Sequence, residues 1–126
     1  MIASNNGHIS VVENQRHLPF AVKRLFYLYD VPGGEARGGH AHRQLYQFIV
    51  AASGSFAVRL SDGVNSRTVH LNRPYTGLLM VPGIWADLGE FSSGSICLVM
   101  ASDVYDEADY LRNYDNFLAF KRELHG

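Results

Sequence analysis

Two histidines separated by one residue, His40 and His42, are the side chains whose type and spacing point most directly to chemistry. The pair lies between a glycine-rich segment and a mainly apolar segment that is typical of a strand. Because successive side chains of a strand alternate between its faces, both histidines project from one face, about 6–7 Å apart along the chain. Neighbouring imidazoles suit metal binding or proton transfer near neutral pH. We therefore take this pair as the centre of a candidate site.

The elements that must position the histidines read as short strands with turn signals such as Asp62-Gly63 and Pro82-Gly83 between them. Besides the strand that carries the pair, strands are predicted over residues 9–12, 22–29, 44–50, 55–60, 67–71, 77–81 and 95–101. One helix is predicted over residues 117–124, with Asp115 or Asn116 as its cap. Many short strands and a single late helix predict one all-β domain over residues 1–126, either a sandwich or a barrel.

The composition limits the kinds of partner and site. A net charge of −1 provides no general attraction to nucleic acid or to an anionic membrane, so we expect neither as a partner. The single cysteine, Cys97, forms neither an internal disulfide nor a cysteine-rich metal site. The first residues lack the pattern of a signal peptide, and no apolar stretch reaches the roughly 20 residues of a spanning helix. We therefore expect a cytoplasmic protein.

The spacing around the histidines resembles the first motif of the cupin family. That motif reads Gly, five residues, His-x-His, three or four residues, Glu, six residues and Gly, and here Gly34, His40, His42, Gln47 and Gly54 occupy its positions. The resemblance implies a jelly-roll β-barrel with the histidines facing its interior. The departure is Gln47, whose neutral amide is a much poorer ligand for a divalent cation than the usual glutamate.

The region that matches the second cupin motif, residues 77–88, contains no histidine, although that motif normally supplies another metal ligand. A four-ligand site has thus lost two of its usual ligands. We expect a cupin that uses no metal and no other cofactor and keeps the histidines for acid–base chemistry. A facial triad of His40, His42 and Asp87 remains as the metal-dependent alternative.

Further segments resemble one branch of cupins, the sugar 3,4-ketoisomerases that act on dTDP-4-keto-6-deoxyglucose. The resemblance runs from about residue 8 to residue 118, and its most specific parts are Arg37-Gly38-Gly39-His40-Ala41-His42 and Tyr105-Asp106-Glu107-Ala108-Asp109-Tyr110-Leu111-Arg112-Asn113-Tyr114. It implies a metal-free isomerisation of the dTDP-linked 4-keto sugar to its 3-keto isomer, in the synthesis of deoxyamino sugars. It also implies a homodimer with exchanged N-terminal strands.

Moving a ketone from C4 to C3 removes the C3 proton and returns one at C4 through an enediol, which requires a base, an acid and a hydrogen-bond donor. His42 is the leading candidate for the base, with His40 as its partner, and the opposite assignment stays open. Tyr27 corresponds to the family's active-site tyrosine and is assigned to proton transfer between O3 and O4 or to donation to the enolate oxygen. Core packing in an aromatic strand is its other interpretation, and Tyr29, on the same strand face, is the alternate.

Four further residues are assigned to substrate binding. Arg37 binds the diphosphate or holds a catalytic oxygen, unless it is a solvated loop arginine. Gln47 hydrogen-bonds a sugar hydroxyl or orients a histidine. Arg59 is expected to point inward, toward the nucleotide phosphates or an internal carboxylate. Trp85 either stacks on the thymine or the sugar at the barrel mouth or fills the core.

Other classes of function remain open at this stage. A metal-dependent cupin enzyme requires a third ligand beside the two histidines, and a non-catalytic sugar-nucleotide-binding cupin tolerates loss of either histidine. A C3/C5 epimerase removes a proton next to the same ketone. The fold alone does not choose among them. The acidic cluster of Asp106, Glu107 and Asp109 reads mainly as a solvated turn.

Overall fold

A computed structural model describes residues 2–4, 7–10, 12, 18–32 and 37–125 of the chain, with side chains for residues 10, 12, 18–32 and 39–124. The strands are β1 (Ile2–Ser4), β2 (Gly7–Ile9), β3 (Arg24–Leu28), β4 (Arg37–His42), β5 (Gln47–Ser53), β6 (Phe56–Ser61), β7 (Ser66–Leu71), β8 (Gly77–Met80), β9 (Trp85–Gly89), β10 (Ile96–Ala101) and β11 (Tyr110–Leu111). A short 3₁₀ helix, Glu107–Asp109, precedes β11, and one α-helix, α1 (Tyr114–His125), follows it. The predicted all-β architecture with a short C-terminal helix is confirmed.

Two antiparallel sheets face each other. One has the strand order β3-β10-β5-β8 and the other has the order β11-β4-β9-β6-β7, while β1 and β2 form a separate hairpin. The apolar core lies between the sheets and is formed by Ile49, Ala51, Phe56, Val58, Leu71, Met80, Phe91, Cys97 and Val99. No α-helix in the described part of the chain is both long and apolar enough to cross a membrane.

Strand β10 explains the continuous apolar run near the end of the chain. It is a central strand, paired with β3 on one side and β5 on the other. Cys97 and Val99 point into the core between the sheets. Met100 points the other way and packs against Leu18 and Val50, where residues 18–22 cross the outer face of the sheet. The strand predicted over residues 95–101 is therefore confirmed, and side chains pack against both of its faces.

The helix covers the outer face of the second sheet. Phe117 is fully buried and packs with Ala41 of β4, Trp85 of β9 and Leu111 of β11. The helix begins three residues earlier than predicted, and its cap is Asn113, whose Oδ1 accepts a hydrogen bond from the Asn116 amide at 3.1 Å. The prediction of Asp115 or Asn116 as the cap is wrong because both residues lie in the first helical turn.

Candidate active site

His40 lies on the wall of a cavity of about 450 Å³ that opens between the two sheets. The walls come from β3, β5 and β10 of one sheet and β4, β9 and β11 of the other. Most of the wall is apolar and consists of Phe26, Leu28, Ile49, Ala86, Leu88 and Val99. Four polar side chains reach it, namely His40, Gln47, Tyr110 and Arg112. An apolar cavity with a few converging polar groups is the usual form of a small-molecule site.

The alternation of side chains along β4 decides what faces the cavity. His40 is paired with Ala86 of β9, and both line the cavity, whereas Ala41 faces the helix on the other side of the sheet. His42 lies opposite Tyr110 of β11. The prediction that both histidines leave the strand on one face is therefore confirmed, with ring centroids 5.0 Å apart and the planes at 84°.

The two histidines have different surroundings. His40 lines the cavity, whereas the His42 side chain is only 7% exposed and its Nδ1 lies 3.1 Å from Oδ2 of Asp109. The Asp109 carboxylate also accepts hydrogen bonds from the backbone amides of Gln44 at 2.8 Å and Leu45 at 3.3 Å. Nε2 of His42 is buried and has no hydrogen-bond partner among the residues that the structure describes.

Burial sets the protonation of His42. Loss of solvation lowers the pKa of His42 to about 4, with a further lowering from the nearby charges of His40 and Arg24. The Asp109 carboxylate acts in the opposite direction but does not compensate. At neutral pH the ring of His42 is therefore uncharged, with one nitrogen carrying a hydrogen and the other a lone pair.

Tyr110 connects the histidines to a charged cluster at the cavity rim. Its ring centroid lies 4.3 Å from that of His42 and 5.3 Å from that of His40. The Arg112 guanidinium stacks over this ring at 4.2 Å and binds Glu107 through Nε at 2.6 Å and Nη2 at 2.9 Å. Hydrogen bonds from Arg112 and from the Tyr105 hydroxyl lower the pKa of Glu107 to about 2. Arg112 and Glu107 thus form an ion pair beside the cavity.

The sequence model of one family, described as FdtA: WxcM-like, C-terminal, matches residues 1–122. The chain belongs to this family. It is 41% identical over 116 residues to a TDP-4-oxo-6-deoxy-alpha-D-glucose-3,4-oxoisomerase of Aneurinibacillus thermoaerophilus, and the match covers 92% of this chain and 84% of that protein.

Solved structures of FdtA-like enzymes show the same fold. A crystal structure of the sugar 3,4-ketoisomerase QdtA of Thermoanaerobacterium thermosaccharolyticum in complex with TDP has 35% identity, covers 98% of this chain and 90% of its own, and gives a TM-score of 0.95. A histidine-to-asparagine mutant of the same enzyme in complex with TDP-4-keto-6-deoxyglucose has 34% identity, covers 97% of this chain and 88% of its own, and gives a TM-score of 0.94. The predicted fold and family are confirmed.

Not every residue predicted for the FdtA-type site lies at the cavity. His40 and Gln47 line it, with Gln47 buried at the start of β5. Arg37 is paired with Leu88 in the ladder between β4 and β9, but its side chain lies outside the described part of the chain.

The assignment of Tyr27 and Tyr29 to the reacting atoms is wrong in this structure. Phe26 and Leu28 of β3 face the cavity, so Tyr27 between them projects from the opposite face of the sheet and is 56% exposed. Tyr29 is 60% exposed and packs against Tyr27, with ring centroids 5.7 Å apart. Both tyrosines therefore belong to the outer surface of the four-stranded sheet.

Arg59 and Trp85 also lie on the outer side of their sheet. Val58 of β6 packs in the core, so the neighbouring Arg59 is exposed, in a shallow depression beside Asp87 of β9. The prediction of an inward Arg59 is wrong. Trp85 packs edge-on against Tyr114, with centroids 5.2 Å apart, and against Phe117 in the cluster under α1. Of its two interpretations, the structure supports core filling.

The described side chains around His40 and His42 do not fit a bound metal ion. Asp87, the third ligand of the metal-dependent alternative, lies on the opposite face of β9 from Ala86 and accepts a hydrogen bond from Trp85 Nε1 at 3.1 Å. The triad of His40, His42 and Asp87 is therefore not assembled. In the regions that the structure describes, no group of three or more His, Cys, Asp or Glu side chains is arranged to hold a metal.

Tyr110, Arg112 and Asp109 are the site residues that sequence reasoning missed. All three lie in the segment that carries the family resemblance, and Tyr110 and Arg112 are two residues apart. The interpretation of the acidic cluster as a solvated turn is wrong for Asp109, whose side chain is 15% exposed and holds His42. Asp106 does act as a turn residue, since its carboxylate caps the 3₁₀ helix at the Ala108 amide.

Proposed function

We propose that this chain is a TDP-sugar 3,4-ketoisomerase that converts TDP-4-keto-6-deoxyglucose into its 3-keto isomer without a metal ion. The observation that carries the proposal is His40 on the wall of an apolar cavity between the sheets, in a chain related to enzymes named for this reaction. The cavity of about 450 Å³ is large enough for one hexose ring, so we place the sugar inside it and the nucleotide outside.

The proposed base is His40, which reverses the preference that the sequence suggested. A base must come within hydrogen-bond reach of the proton that it removes. His40 lines the cavity, whereas His42 is buried behind it and hydrogen-bonded to Asp109. His40 takes the C3 proton, and the electron pair of the C3–H bond forms the C3–C4 double bond of an enediol. An imidazole can then return a proton to C4, because it loses and gains one near neutral pH.

The oxygens of the enediol are handled by the other polar groups at the cavity. The electron pair displaced onto O4 requires a hydrogen-bond donor, and O3 must lose its proton as the new ketone forms. We assign these contacts to the phenol of Tyr110 and the amide of Gln47, which line the cavity with His40. Arg112 uses two of its donors on Glu107, and the rest remain available for substrate oxygens.

The apolar wall supports the same reaction in two ways. Side chains such as Phe26, Ile49 and Val99 accept the methyl group of a 6-deoxy sugar without leaving a polar hydroxyl unpaired. They also exclude water, which strengthens the hydrogen bonds to the enediolate oxygens. A 6-hydroxy sugar is expected to bind less well for this reason.

The direct test of the function is to treat the purified protein with a chelator, add TDP-4-keto-6-deoxyglucose and follow the sugar by proton NMR. The expected result is the 3-keto isomer, formed at equal rates by chelated and untreated protein. Conversion that requires an added divalent cation would establish the metal-dependent alternative. A sugar that binds but stays unchanged under both conditions would establish a non-catalytic binding protein.

We further propose that the chain acts as a homodimer in which the N-terminal strands are exchanged between copies. The outer face of the four-stranded sheet presents exposed apolar side chains, with Leu25, Tyr27 and Tyr29 all more than half exposed. The patch is continuous with the cluster where Leu18 already covers part of this face. A second copy suits it because a self-complementary apolar face buries itself around a two-fold axis.

Replacing Leu25 and Tyr27 together by lysine is expected to convert the dimer into a monomer, because two buried charges oppose association. The measurement is the molar mass by light scattering at micromolar concentration. The matched control is Val64→Lys, which changes a side chain that is 90% exposed in a turn and leaves the dimer intact. A wild-type protein that is monomeric under these conditions contradicts the proposal.

A further inference from the structure

The hydrogen bonds at Asp109 restrict which nitrogen of His42 carries the hydrogen. Both oxygens of Asp109 accept backbone N–H groups, Oδ1 from Gln44 at 2.8 Å and Oδ2 from Leu45 at 3.3 Å. Oδ2 also lies 3.1 Å from Nδ1 of His42. An ionised carboxylate only accepts, so Nδ1 must be the nitrogen that donates. The lone pair of the neutral ring is then on Nε2.

That lone pair is buried without a donor in the described part of the chain. A buried acceptor that stays unpaired costs free energy, so its persistence at a site suggests a role. The ring of His40 is a candidate donor, since it lies edge-on to His42 with centroids 5.0 Å apart. Donation requires a nitrogen of His40 to come within hydrogen-bond distance of Nε2 of His42.

We propose that Asp109 is a positioning residue that holds His42 in the Nδ1–H tautomer, so that Nε2 of His42 accepts a hydrogen bond from His40 once His40 has taken the substrate proton. The proposal rests on the proposed function for the identity of the base. One proton moves, from C3 of the sugar to His40. The protonated His40 then donates a hydrogen bond to His42 through its N–H, while His42 and Asp109 keep their own protonation. The low pKa of His42 supports this role, since His42 stays neutral beside the charged His40.

Other charged groups near the two histidines also influence their protonation. Glu107 and Arg112 lie on the cavity side, and Arg24 acts on His42 from β3. Arg112 and Glu107 are already paired with each other, and Asp109 is an anion in direct contact with His42. An acceptor placed on the protonated His40 stabilises its charged form and raises the pH at which it titrates.

Asp109→Asn tests the proposal with little change in shape. The amide oxygen retains the shorter hydrogen bond from Gln44, which places the NH₂ group against Nδ1 of His42 and forces the hydrogen onto Nε2. The hydrogen bond from the Leu45 amide at 3.3 Å is lost. Asp106→Asn is the matched control, since it removes the same charge from the same turn without touching His42.

The first readout is the tautomer of His42 in the ligand-free protein, from nitrogen-15 chemical shifts of the imidazole. We expect Nδ1–H in the wild type and in Asp106→Asn, and Nε2–H in Asp109→Asn. This readout needs no turnover, so it stands even if TDP-4-keto-6-deoxyglucose is not the substrate. An Nε2–H tautomer in the wild type overturns the proposal.

The second readout is the titration of His40 by NMR, with the acid limb of the pH profile of kcat/KM beside it. In Asp109→Asn the midpoint of the His40 titration and the acid limb of the kcat/KM profile are both expected to move to lower pH. The value of kcat is expected to fall by about tenfold or more, as a shift of one pKa unit implies. If Asp109→Asn does not fold, His42→Gln and His42→Leu serve instead. The His42→Gln variant keeps a hydrogen-bond acceptor, so the pH midpoint of the His40 titration is expected to stay near that of the wild type. The His42→Leu variant has no acceptor, so this midpoint is expected to be lower. Equal titrations in all variants overturn the proposal.

Discussion

His40→Asn is expected to lower kcat for TDP-4-keto-6-deoxyglucose by about 10³-fold, because the amide of asparagine neither gains nor loses a proton near neutral pH. His40 is the histidine that lines the cavity, so the substitution removes the group that takes the C3 proton. The apolar wall and the ion pair of Arg112 with Glu107 are unchanged, so substrate binding is expected to persist. The measurement is the rate of formation of the 3-keto isomer by NMR, together with the affinity for the substrate.

The matched control for this prediction is His70→Asn, which makes the same chemical change on β7, where the side chain is 68% exposed. Its kcat is expected to equal that of the wild type. Activity of His40→Asn within an order of magnitude of the wild type, in a folded protein, would show that another group removes the proton.

The second large effect is a loss of stability at acid pH that originates in His42. Its pKa is about 4 in the folded protein, against 6.5 for an unperturbed histidine. Between these values the unfolded chain binds a proton at this position and the folded chain does not, so the free energy of unfolding falls as the pH falls. The expected loss from pH 7 to pH 5 is about 2 kcal/mol from this residue. Above pH 7 the contribution of His42 no longer changes.

The comparison that isolates His42 is urea unfolding of the wild type and of His42→Gln at pH 7 and pH 5, at one protein concentration. Both proteins share every other titrating group, so the difference between their losses reports His42 together with its contacts to Asp109 and His40. The wild type is expected to lose about 2 kcal/mol more than the variant. Equal losses in the two proteins would contradict the burial of a neutral imidazole behind the cavity.

The sequence predicts the fold and the centre of the site well because both depend on local periodicity. Side chains alternate between the two faces of β4, so His40 and His42 lie on one face independently of the tertiary structure. Strand β10 is recognisable as a continuous apolar run, and it is a central strand with both faces covered. Strand β9 was not predicted, since Ala86-Asp87-Leu88-Gly89 contains no β-branched residue.

The assignments on β3 failed because its sequence does not reveal which face is inside. Leu25, Phe26, Tyr27 and Leu28 are apolar or aromatic on both faces, and a shift of one residue exchanges the faces. The cavity receives Phe26, and Tyr27 goes to the outer surface. The aromatic character of the outer face is understandable if a second copy of the chain covers it.

Asp109 was missed for a different reason. Its hydrogen bond to His42 joins residues that are 67 positions apart, and it forms because β11 returns beside β4. A local pattern of acidic residues carries no information about such a contact. Tyr110 and Arg112 enter the site by the same route, because β11 is only two residues long and its sequence shows no strand periodicity.

The measurement that tests the central claim most directly is turnover of TDP-4-keto-6-deoxyglucose in D₂O by chelator-treated wild type and by His40→Asn, with NMR of the sugar. The account predicts a 3-keto product that carries deuterium at C4 with the wild type, formed about 10³-fold more slowly by the variant. A 3-keto product that keeps only protium at C4, formed equally well by His40→Asn, would contradict proton transfer by His40 in this cavity.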